Sequence, residues 1–236
     1  MNALIRLLTV AAPFAVALVL ASGDHGLAQQ PDRSMRYVSQ FPLTGDDGRR
    51  VPNHAVKLPG PIEGMPGVVT VGNEAGKVAL IEFYDLNCPF CRIASVDIGD
   101  MVDTNSELKL VLVPYPVLGV PSIAASRVEL AVAKLGTAQQ FYAFHRRAYA
   151  QRGTMDGVRA LAIARDLGFD PRALTALADS DAITLTMTNL VSLGRALGLA
   201  ATPSFIVGGI AILGYPGRES LQSIVDSVGA CGKVTC

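Results

Sequence analysis

The segment that most constrains the fold is residues 78–84, an almost unbroken apolar run that ends four residues before a cysteine pair. A run of this length is typical of a central β-strand that is covered on both faces. Residues 89–102 then place apolar side chains at the spacing of an amphipathic helix, and residues 108–113 form a second apolar strand candidate. A strand, a helix and a strand within about 36 residues predict a βαβ unit with parallel strands and a right-handed crossover.

The residues that flank this unit have different patterns. Residues 68–71 are a short strand candidate, whereas helical spacing extends over about residues 116–201, interrupted by Gly, Pro and N-cap residues. Strand candidates return at residues 204–207 and 210–213, where the Gly-Gly turn between them favours a hairpin. A last helix is predicted over about residues 219–228. The sequence therefore predicts an α/β fold whose core is split by a helical insertion.

The N-terminal segment has the features of a secretory signal peptide. Arg6 provides the positive charge, residues 7–21 are uncharged, and residues 26–28 offer small side chains at the positions that a signal peptidase recognises. A retained membrane anchor is the alternative, but a spanning helix needs about 20 apolar residues, and Pro13 interrupts this shorter run. We therefore expect residues 1–28 to be removed from a protein that is exported to the periplasm or, alternatively, secreted, without stable membrane insertion.

Composition divides the rest of the chain into three parts. Residues 29–67 are rich in Pro, Gly and polar residues, which predicts an extended lead-in that lies on the domain or is partly mobile. An oligomer contact is the alternative for this segment. Residues 68–228 form the predicted folded domain, with the helical insertion at about residues 116–201. Residues 229–236 form a C-terminal tail.

Composition, charge and cysteine content exclude several classes to which this protein could belong. Hydrophobic residues make up 50% of the chain and charged residues 17%, which excludes a disordered chain. The 20 basic and 20 acidic side chains balance, so there is no electrostatic reason to expect nucleic acid or an acidic membrane surface as a partner. Four cysteines are too few to hold a chain of 236 residues together, so the hydrophobic core must carry the fold.

The sequence Cys88-Pro89-Phe90-Cys91 is the motif that carries chemistry. Pro89 is suited to the first position of a helix, which places Cys88 near the N-cap. Unpaired backbone N–H groups and the helix dipole favour a thiolate there, so the pKa of Cys88 should fall below about 8.5. Cys91 lies one turn further into the helix and should be the more shielded, resolving thiol. The pair predicts thiol-disulfide exchange through a mixed disulfide with Cys88.

Two other interpretations of this pair stay open. It could be a structural disulfide, or half of a zinc site that Cys231 and Cys236 complete, since zinc needs four ligands. Haem attachment is excluded because Arg92 follows the second cysteine, where a histidine is required. We expect no metal, and no cofactor other than the redox-active disulfide between Cys88 and Cys91.

The other two cysteines are expected to form a structural disulfide. Cys231 and Cys236 both follow the last predicted helix of an exported protein, and Gly232 eases the turn between them. The alternatives are a free tail and a second redox pair. The second redox pair is disfavoured because no helix N-terminus activates either thiol.

Three stretches of the chain carry a resemblance to a known family: residues 82–91, residues 114–119 with 124–127, and residues 202–205. Together they resemble the DsbA family of exported thiol-disulfide oxidoreductases, over about residues 68–228. The resemblance implies a thioredoxin-like fold, with a helical domain inserted between the βαβ unit that carries the cysteine pair and the C-terminal β-hairpin. It also implies an enzyme that exchanges disulfides with other proteins.

The resemblance further implies which residues surround the redox-active cysteine pair. Pro203 matches a cis-proline beside the pair, and Glu82 matches a buried acid on the strand that leads to it. The backbone of Thr202 would be free to pair with an extended substrate. Separately, because the chain has no tryptophan, any substrate groove must rely on Phe90 and on other aromatic and aliphatic residues. Two departures are that Ala201 stands where many members have Gly, and Phe90 where the best-known oxidant has His. The second departure removes one stabiliser of the reactive thiolate, so we expect a weaker oxidant.

Two titratable side chains have surroundings that can be argued from the sequence. A lone acid in an apolar strand is costly to bury as an ion, so the pKa of Glu82 should rise, and Glu82 could exchange protons with Cys91 through water. The alternative is that Glu82 reaches solvent at a sheet edge. His145 lies beside Arg146 and Arg147, which predicts a solvated helix surface.

The sequence leaves two classes of function open. The first is an enzyme that exchanges disulfides with exported proteins containing cysteine pairs. An oxidase is its preferred form, an isomerase or reductase is the alternative, and a separate redox partner would recycle the dithiol. The second class is a binding or chaperone module whose cysteine pair is a static bridge. The acidity and the redox potential of Cys88 distinguish these classes.

Overall fold

The computed structural model describes residues 39–236, so the predicted signal peptide and the first part of the lead-in lie outside the described residues. The described part contains six strands and seven helices. The strands are β1 (Asn53–Ala55), β2 (Val69–Gly72), β3 (Val78–Tyr84), β4 (Leu108–Pro114), β5 (Ser204–Val207) and β6 (Ile210–Leu213). The helices are α1 (Pro89–Thr104), α2 (Val120–Leu135), α3 (Ala138–Ala150), α4 (Gly157–Asp166), α5 (Pro171–Ala178), α6 (Asp181–Ala196) and α7 (Arg218–Cys231). No helix within residues 39–236 is long and apolar enough to cross a membrane.

The six strands form one mixed sheet in the order β1-β6-β5-β3-β4-β2. β3 and β4 are parallel, from Val78 opposite Leu108 to Tyr84 opposite Pro114, and α1 connects them. The other strand pairs are antiparallel. The predicted βαβ unit, the C-terminal hairpin and the helical insertion are confirmed as parts of a thioredoxin-like fold, and β3 lies in the interior of the sheet.

Side chains that alternate along β3 are buried on both faces of the sheet. Leu80 and Tyr84 join a core that includes residues of α1, α3 and α7. Ile81 and Phe83 join a second core that includes residues of α6. Burial on both faces explains why this strand is apolar along its length rather than alternating, with Glu82 as the exception.

The described part of the lead-in packs against the sheet and the last helix. β1 pairs with β6 at the edge of the sheet, and Asn53 is fully buried with its side-chain amide hydrogen-bonded. Asp46 accepts hydrogen bonds from the backbone N–H groups of Glu219 and Ser220, at 3.1 and 2.8 Å, at the start of α7. The sequence did not predict β1, because its three residues carry no apolar alternation and it forms by pairing with β6.

The prediction that His145 is solvated is wrong, because the side chain is 2% exposed. α3 packs against α1, α2 and β2, so more than one of its faces is covered. Phe141 lies one turn before His145 and Tyr149 one turn after it, on the same face of the helix, and both are buried. Arg146 and Arg147 are exposed because they lie on other faces. The side chains one turn away, rather than the adjacent arginines, indicate the environment of His145.

The last helix extends further than predicted. α7 ends at Cys231, so this cysteine belongs to the helix, and Gly232 follows it with a φ of 75°. A glycine adopts this left-handed conformation without a steric penalty, which lets the chain turn back. Cys236 is disulfide-bonded to Cys231, with the two Cα atoms 6.2 Å apart. The disulfide therefore joins the end of the chain to the end of α7.

Candidate active site

Cys88 is the N-cap residue of α1. Its backbone is extended, with φ −76° and ψ 121°, and its sulfur accepts a hydrogen bond from the backbone N–H of Cys91 at 3.4 Å. Pro89 is the first helical residue, where its missing N–H removes no intrahelical hydrogen bond. Both cysteines are free thiols and both are buried. The first of them therefore lies at the positive end of the helix dipole.

The surroundings of Cys88 stabilise its thiolate. Hydrogen bonding with Cys91 has the largest effect on its pKa, and burial opposes it; Thr202 and the backbone N–H groups of Cys91 and Phe90 lower the pKa further. Together these effects lower the pKa of Cys88 to about 6. At pH 7 about nine tenths of this thiol would be ionised, and the thiolate is the nucleophilic form.

Cys91 has the opposite surroundings. It is fully buried, and this burial, the hydrogen bond with Cys88 and the charge of Glu82 raise its pKa far above that of an ordinary thiol. Two thiols three positions apart therefore differ in acidity: the first ionises readily and the second retains its proton. This difference suits a nucleophile and a resolving thiol.

The loop before β5 faces the cysteine pair. The Thr202–Pro203 peptide bond is cis, and Cys88 Sγ lies 3.0 Å from the carbonyl oxygen of Thr202. Ser204, the first residue of β5, is opposite Phe83 of β3, so strand pairing brings this loop to the end of β3 at which α1 begins. The structure thus brings together residues that are far apart in the chain.

Glu82 lies on β3, the strand that leads to the cysteine pair. It is 1% exposed in the interior of the sheet, so the alternative that it reaches solvent at a sheet edge is wrong. Neither carboxyl oxygen has a hydrogen-bond partner among the described residues. Burial is the main cause that raises the pKa of Glu82 to about 8, and the charges of Cys88 and Glu129 add to it. A carboxyl group with this pKa retains its proton at neutral pH.

Asp85 is a buried residue of the site that the sequence analysis did not identify. It follows β3 directly and is fully buried, with its carboxylate accepting four hydrogen bonds. The donors are the backbone N–H groups of Asn87, Val117 and Leu118 and the hydroxyl of Ser122. Asp85 therefore ties the loop before Cys88 to the start of the helical insertion. The polar stretch Asp-Leu-Asn after an apolar strand is the pattern that could have indicated it.

Glu129 was also missed, and it is fully buried on α2. Its Oε1 accepts a hydrogen bond from the hydroxyl of Tyr84 at 2.7 Å, and His145 Nδ1 lies 3.7 Å from the same oxygen. Its Oε2 has no hydrogen-bond partner among the described residues. A single acid in the apolar stretch 128–132 was the available indication in the sequence.

Exposed apolar side chains lie on α1 beside the cysteine pair. Phe90 is 59% exposed, and Ile93 and Val96 continue the exposed apolar surface along α1. A groove beside Phe90 and Ile93 is also lined by charged residues of the lead-in and by residues that follow β6, among them Asp46, Asp47, Arg49, Arg50 and Tyr215. The site can therefore present the reactive thiol next to a surface that binds apolar side chains.

The remaining cysteines do not join this site. Cys231 and Cys236 are bonded to each other, so they cannot complete a zinc site with Cys88 and Cys91 in this structure. Among residues 39–236, no group of three or more His, Cys, Asp or Glu side chains is arranged to hold a metal ion.

Comparisons with known proteins give related folds and activities. A family model described as thioredoxin matches residues 65–227. A thioredoxin-like oxidoreductase from Silicibacter pomeroyi DSS-3 is 31% identical, with a TM-score of 0.64 over 70% of this chain and 94% of that chain. The thiol-disulfide exchange protein alpha-DsbA2 from Wolbachia pipientis is 26% identical, with a TM-score of 0.62 over 68% of this chain and 86% of that chain.

A third solved structure shows the same fold at lower identity. The catalytic domain of ScsC from Proteus mirabilis is 23% identical, with a TM-score of 0.63 over 70% of this chain and 90% of that chain. No curated protein sequence is a significant match to the chain.

Proposed function

Since this chain belongs to the thioredoxin family and is a DsbA-like thiol-disulfide oxidoreductase, we propose that it is an oxidase that introduces disulfides into exported proteins with cysteine pairs. The observation that carries the proposal is the position of Cys88 at the N-cap of α1, where its sulfur accepts a hydrogen bond from the backbone N–H of Cys91 and its pKa is lowered, whereas burial raises the pKa of Cys91. A stabilised Cys88 thiolate favours the reduced form of the protein, and an enzyme with a stable reduced form oxidises its substrates.

The reaction proceeds through two exchanges. A substrate thiolate attacks Cys88 Sγ of the oxidised pair, a bond forms between the two sulfurs, and the bond from Cys88 to Cys91 breaks. A second substrate thiolate then attacks the substrate sulfur of this mixed disulfide, and Cys88 leaves as a thiolate. The substrate loses two electrons and the protein gains them. The low pKa of Cys88 makes it a good leaving group for the second exchange.

The first exchange requires a proton at Cys91. Its sulfur leaves in a buried environment that disfavours the thiolate, so protonation as the bond breaks favours the reaction. We assign this proton to the carboxyl group of Glu82, whose burial favours its protonated form. In the reverse direction the Glu82 carboxylate accepts the proton of Cys91, which allows Cys91 to resolve the mixed disulfide.

We assign substrate contacts to the surface around Cys88. Thr202 and Pro203 lie beside the reactive sulfur, where an extended substrate chain could pair with the backbone of Thr202. Phe90 offers an exposed apolar side chain to the residues next to the substrate cysteine. A separate protein that accepts two electrons would return Cys88 and Cys91 to the disulfide. We place the enzyme in the periplasm, following the predicted signal peptide, with secretion as the alternative.

The proposal is tested by equilibrating the pair with mixtures of reduced and oxidised glutathione. We expect a reduction potential above about −200 mV, well above the value of about −270 mV that is typical of the reductant thioredoxin. The oxidised protein should also accelerate the oxidative refolding of a reduced substrate protein. The Cys88→Ser variant should not do so, whereas a Cys231→Ser/Cys236→Ser double variant should retain the activity. A potential near that of thioredoxin would instead indicate a reductase.

A further inference from the structure

The lead-in forms a small hairpin over residues 43–51, called the lead-in hairpin below. Thr44 and Arg50 are opposite each other in an antiparallel bridge, and the backbone N–H of Val51 donates a hydrogen bond to the carbonyl oxygen of Leu43 at 3.0 Å. The side chains of Leu43 and Val51 are both buried in the core. The lead-in hairpin is therefore part of the folded domain.

The turn of the lead-in hairpin is attached to the start of α7. The N-cap residue of α7 is Gly217, which has no side chain to accept hydrogen bonds from the helix. Asp46 takes this role, since its carboxylate accepts from the backbone N–H groups of Glu219 and Ser220 and from the hydroxyl of Ser220. The backbone N–H of Asp46 donates to the carbonyl oxygen of Pro216 at 2.8 Å. These contacts hold the lead-in hairpin in a defined position.

The lead-in hairpin and α1 line the same groove. Phe90 lies between the two reactive cysteines in the chain, and the groove beside it and Ile93 is also lined by Tyr215 and by residues of the hairpin. The hydroxyl of Tyr215 donates a hydrogen bond to Asp97 of α1, which fixes the tyrosine ring against this helix. The groove therefore adjoins the reactive pair, and its lining is held in place on both sides.

Three of the four charged side chains in the groove already have partners. Asp46 binds the N-terminus of α7, where the helix dipole favours a negative charge. Asp47 Oδ2 lies 3.8 Å from Nε of Arg49, so their charges offset each other. Arg50 is exposed and forms no ion pair with an acid of residues 39–236. Its guanidinium is therefore available to a carboxylate, which it can bind through two N–H donors.

We propose that Arg50 determines substrate choice by binding an Asp or Glu side chain of a substrate segment that places an apolar side chain against Phe90. The inference rests on the proposed function, because it names the kind of substrate that Cys88 and Cys91 oxidise. Arg50 binds the substrate away from the reacting sulfur atoms, so it affects which proteins are oxidised. The preferred substrates are exported proteins in which an acidic and an apolar residue lie near a reduced cysteine.

The test compares reduced peptides that differ by one charge. Each peptide carries one cysteine pair with a leucine beside the first cysteine, and Asp, Asn or Lys is placed at one flanking position at a time. The oxidised protein converts each peptide to its disulfide, and mass spectrometry measures the initial rate. At one or more positions we expect the Asp peptide to react about threefold faster than the Asn peptide, the effect of an exposed ion pair. High salt should remove this preference.

Variants separate the effect of Arg50 from the effect of the charge on the peptide thiol itself. The second effect is the same for every form of the protein, so it cancels when the ratio of the Asp rate to the Asn rate is compared between forms. Arg50→Gln should lower this ratio about threefold, and Arg50→Glu should shift the preference to the Lys peptide. Arg172→Glu changes an exposed arginine of α5 outside the groove and should keep the wild-type ratio. Equal ratios in wild type and in the Arg50 variants at every position overturn the proposal.

Failure of this inference and failure of the proposed function give different results. Oxidation of all peptides without a dependence on Arg50 refutes the role of Arg50 alone. If no peptide is oxidised, the proposed function is refuted, and the Kd values of the same peptides with serine in place of cysteine then test Arg50. Fluorescence anisotropy should show the same threefold preference for Asp in these Kd values, and equal values in wild type and Arg50→Gln overturn it. Arg50→Gln carries the comparison if Arg50→Glu does not fold.

Discussion

The Sγ atom of Cys88 lies 3.0 Å from the carbonyl oxygen of Thr202, although 114 positions separate the two residues in the chain. The antiparallel pairing of β5 with β3, with Ser204 opposite Phe83, sets this distance. The reactive sulfur is therefore held between the start of a helix and the loop before a neighbouring strand.

Alkylation should distinguish the two thiols of the reduced protein. The pKa of Cys88 is about 6 and that of Cys91 is raised by burial, so iodoacetamide at pH 7 should label Cys88 first. The rate should rise with pH around a midpoint near 6, measured by mass spectrometry of digested samples. Faster labelling of Cys91, or a midpoint near that of an ordinary thiol at about 8.5, would contradict the assignment.

Glu82→Gln should stabilise the reduced protein in a pH-dependent way. The pKa of Glu82 is about 8 in the folded protein against 4.5 ordinarily, so the unfolded chain releases this proton first. The free energy of unfolding of the wild-type protein therefore falls as the pH rises from about 4.5 to 8. Glu82→Gln removes this fall. The free energy of unfolding of the variant relative to the wild type should therefore be about 2 kcal/mol larger at pH 7 than at pH 5.

Urea unfolding of reduced wild-type and variant proteins at both pH values measures this difference. The contribution of Cys88 is common to the two proteins and cancels in the comparison. The exposed Glu74→Gln variant serves as the control and should show no such dependence on pH. An equal effect of Glu82→Gln at pH 5 and pH 7 would mean that Glu82 is ionised in the folded protein.

Asp85→Ala should destabilise the fold strongly. The substitution leaves three backbone N–H groups and the hydroxyl of Ser122 without their acceptor in the loop that joins the active site to the helical insertion. Four hydrogen bonds are lost and the buried hydroxyl of Ser122 has no acceptor, so we expect a loss of at least about 3 kcal/mol in the free energy of unfolding. Asp226→Ala on the surface of α7 is the control, and a similar small loss in both variants would disprove the role of Asp85.

Removal of the second disulfide should have a modest effect. The cysteines are separated by only 5 positions, and the chain-entropy model gives a stabilisation of about 2 kcal/mol for so short a loop. The Cys231→Ser/Cys236→Ser double variant should lose about this amount in urea unfolding and keep its disulfide exchange activity. Loss of cooperative unfolding would show that the bridge carries the fold, and this result would reject the prediction.

Local patterns in the sequence were sufficient for the architecture. The apolar run of β3 and the helix that begins after Cys88 predicted the βαβ unit, because a strand buried on both faces must be apolar throughout. Helical spacing predicted the insertion, and two short apolar stretches around Gly208 predicted the hairpin. The position of Cys88 at a helix N-terminus also followed from its neighbours, since Pro89 favours the first helical position.

Only the tertiary structure decided which polar side chains share the core. Glu129 of α2 accepts a hydrogen bond from Tyr84 of β3, and Asp85 accepts one from the backbone N–H of Val117 at the start of the insertion. β1 forms by antiparallel pairing with β6. His145 is buried because several elements pack against α3. These relationships join residues that are distant in the chain, so no local periodicity records them. The sequence determined the helices, the strands and the reactive cysteine pair. Packing between the helices and strands determined which titratable side chains are buried near this pair and which hydrogen bonds they make.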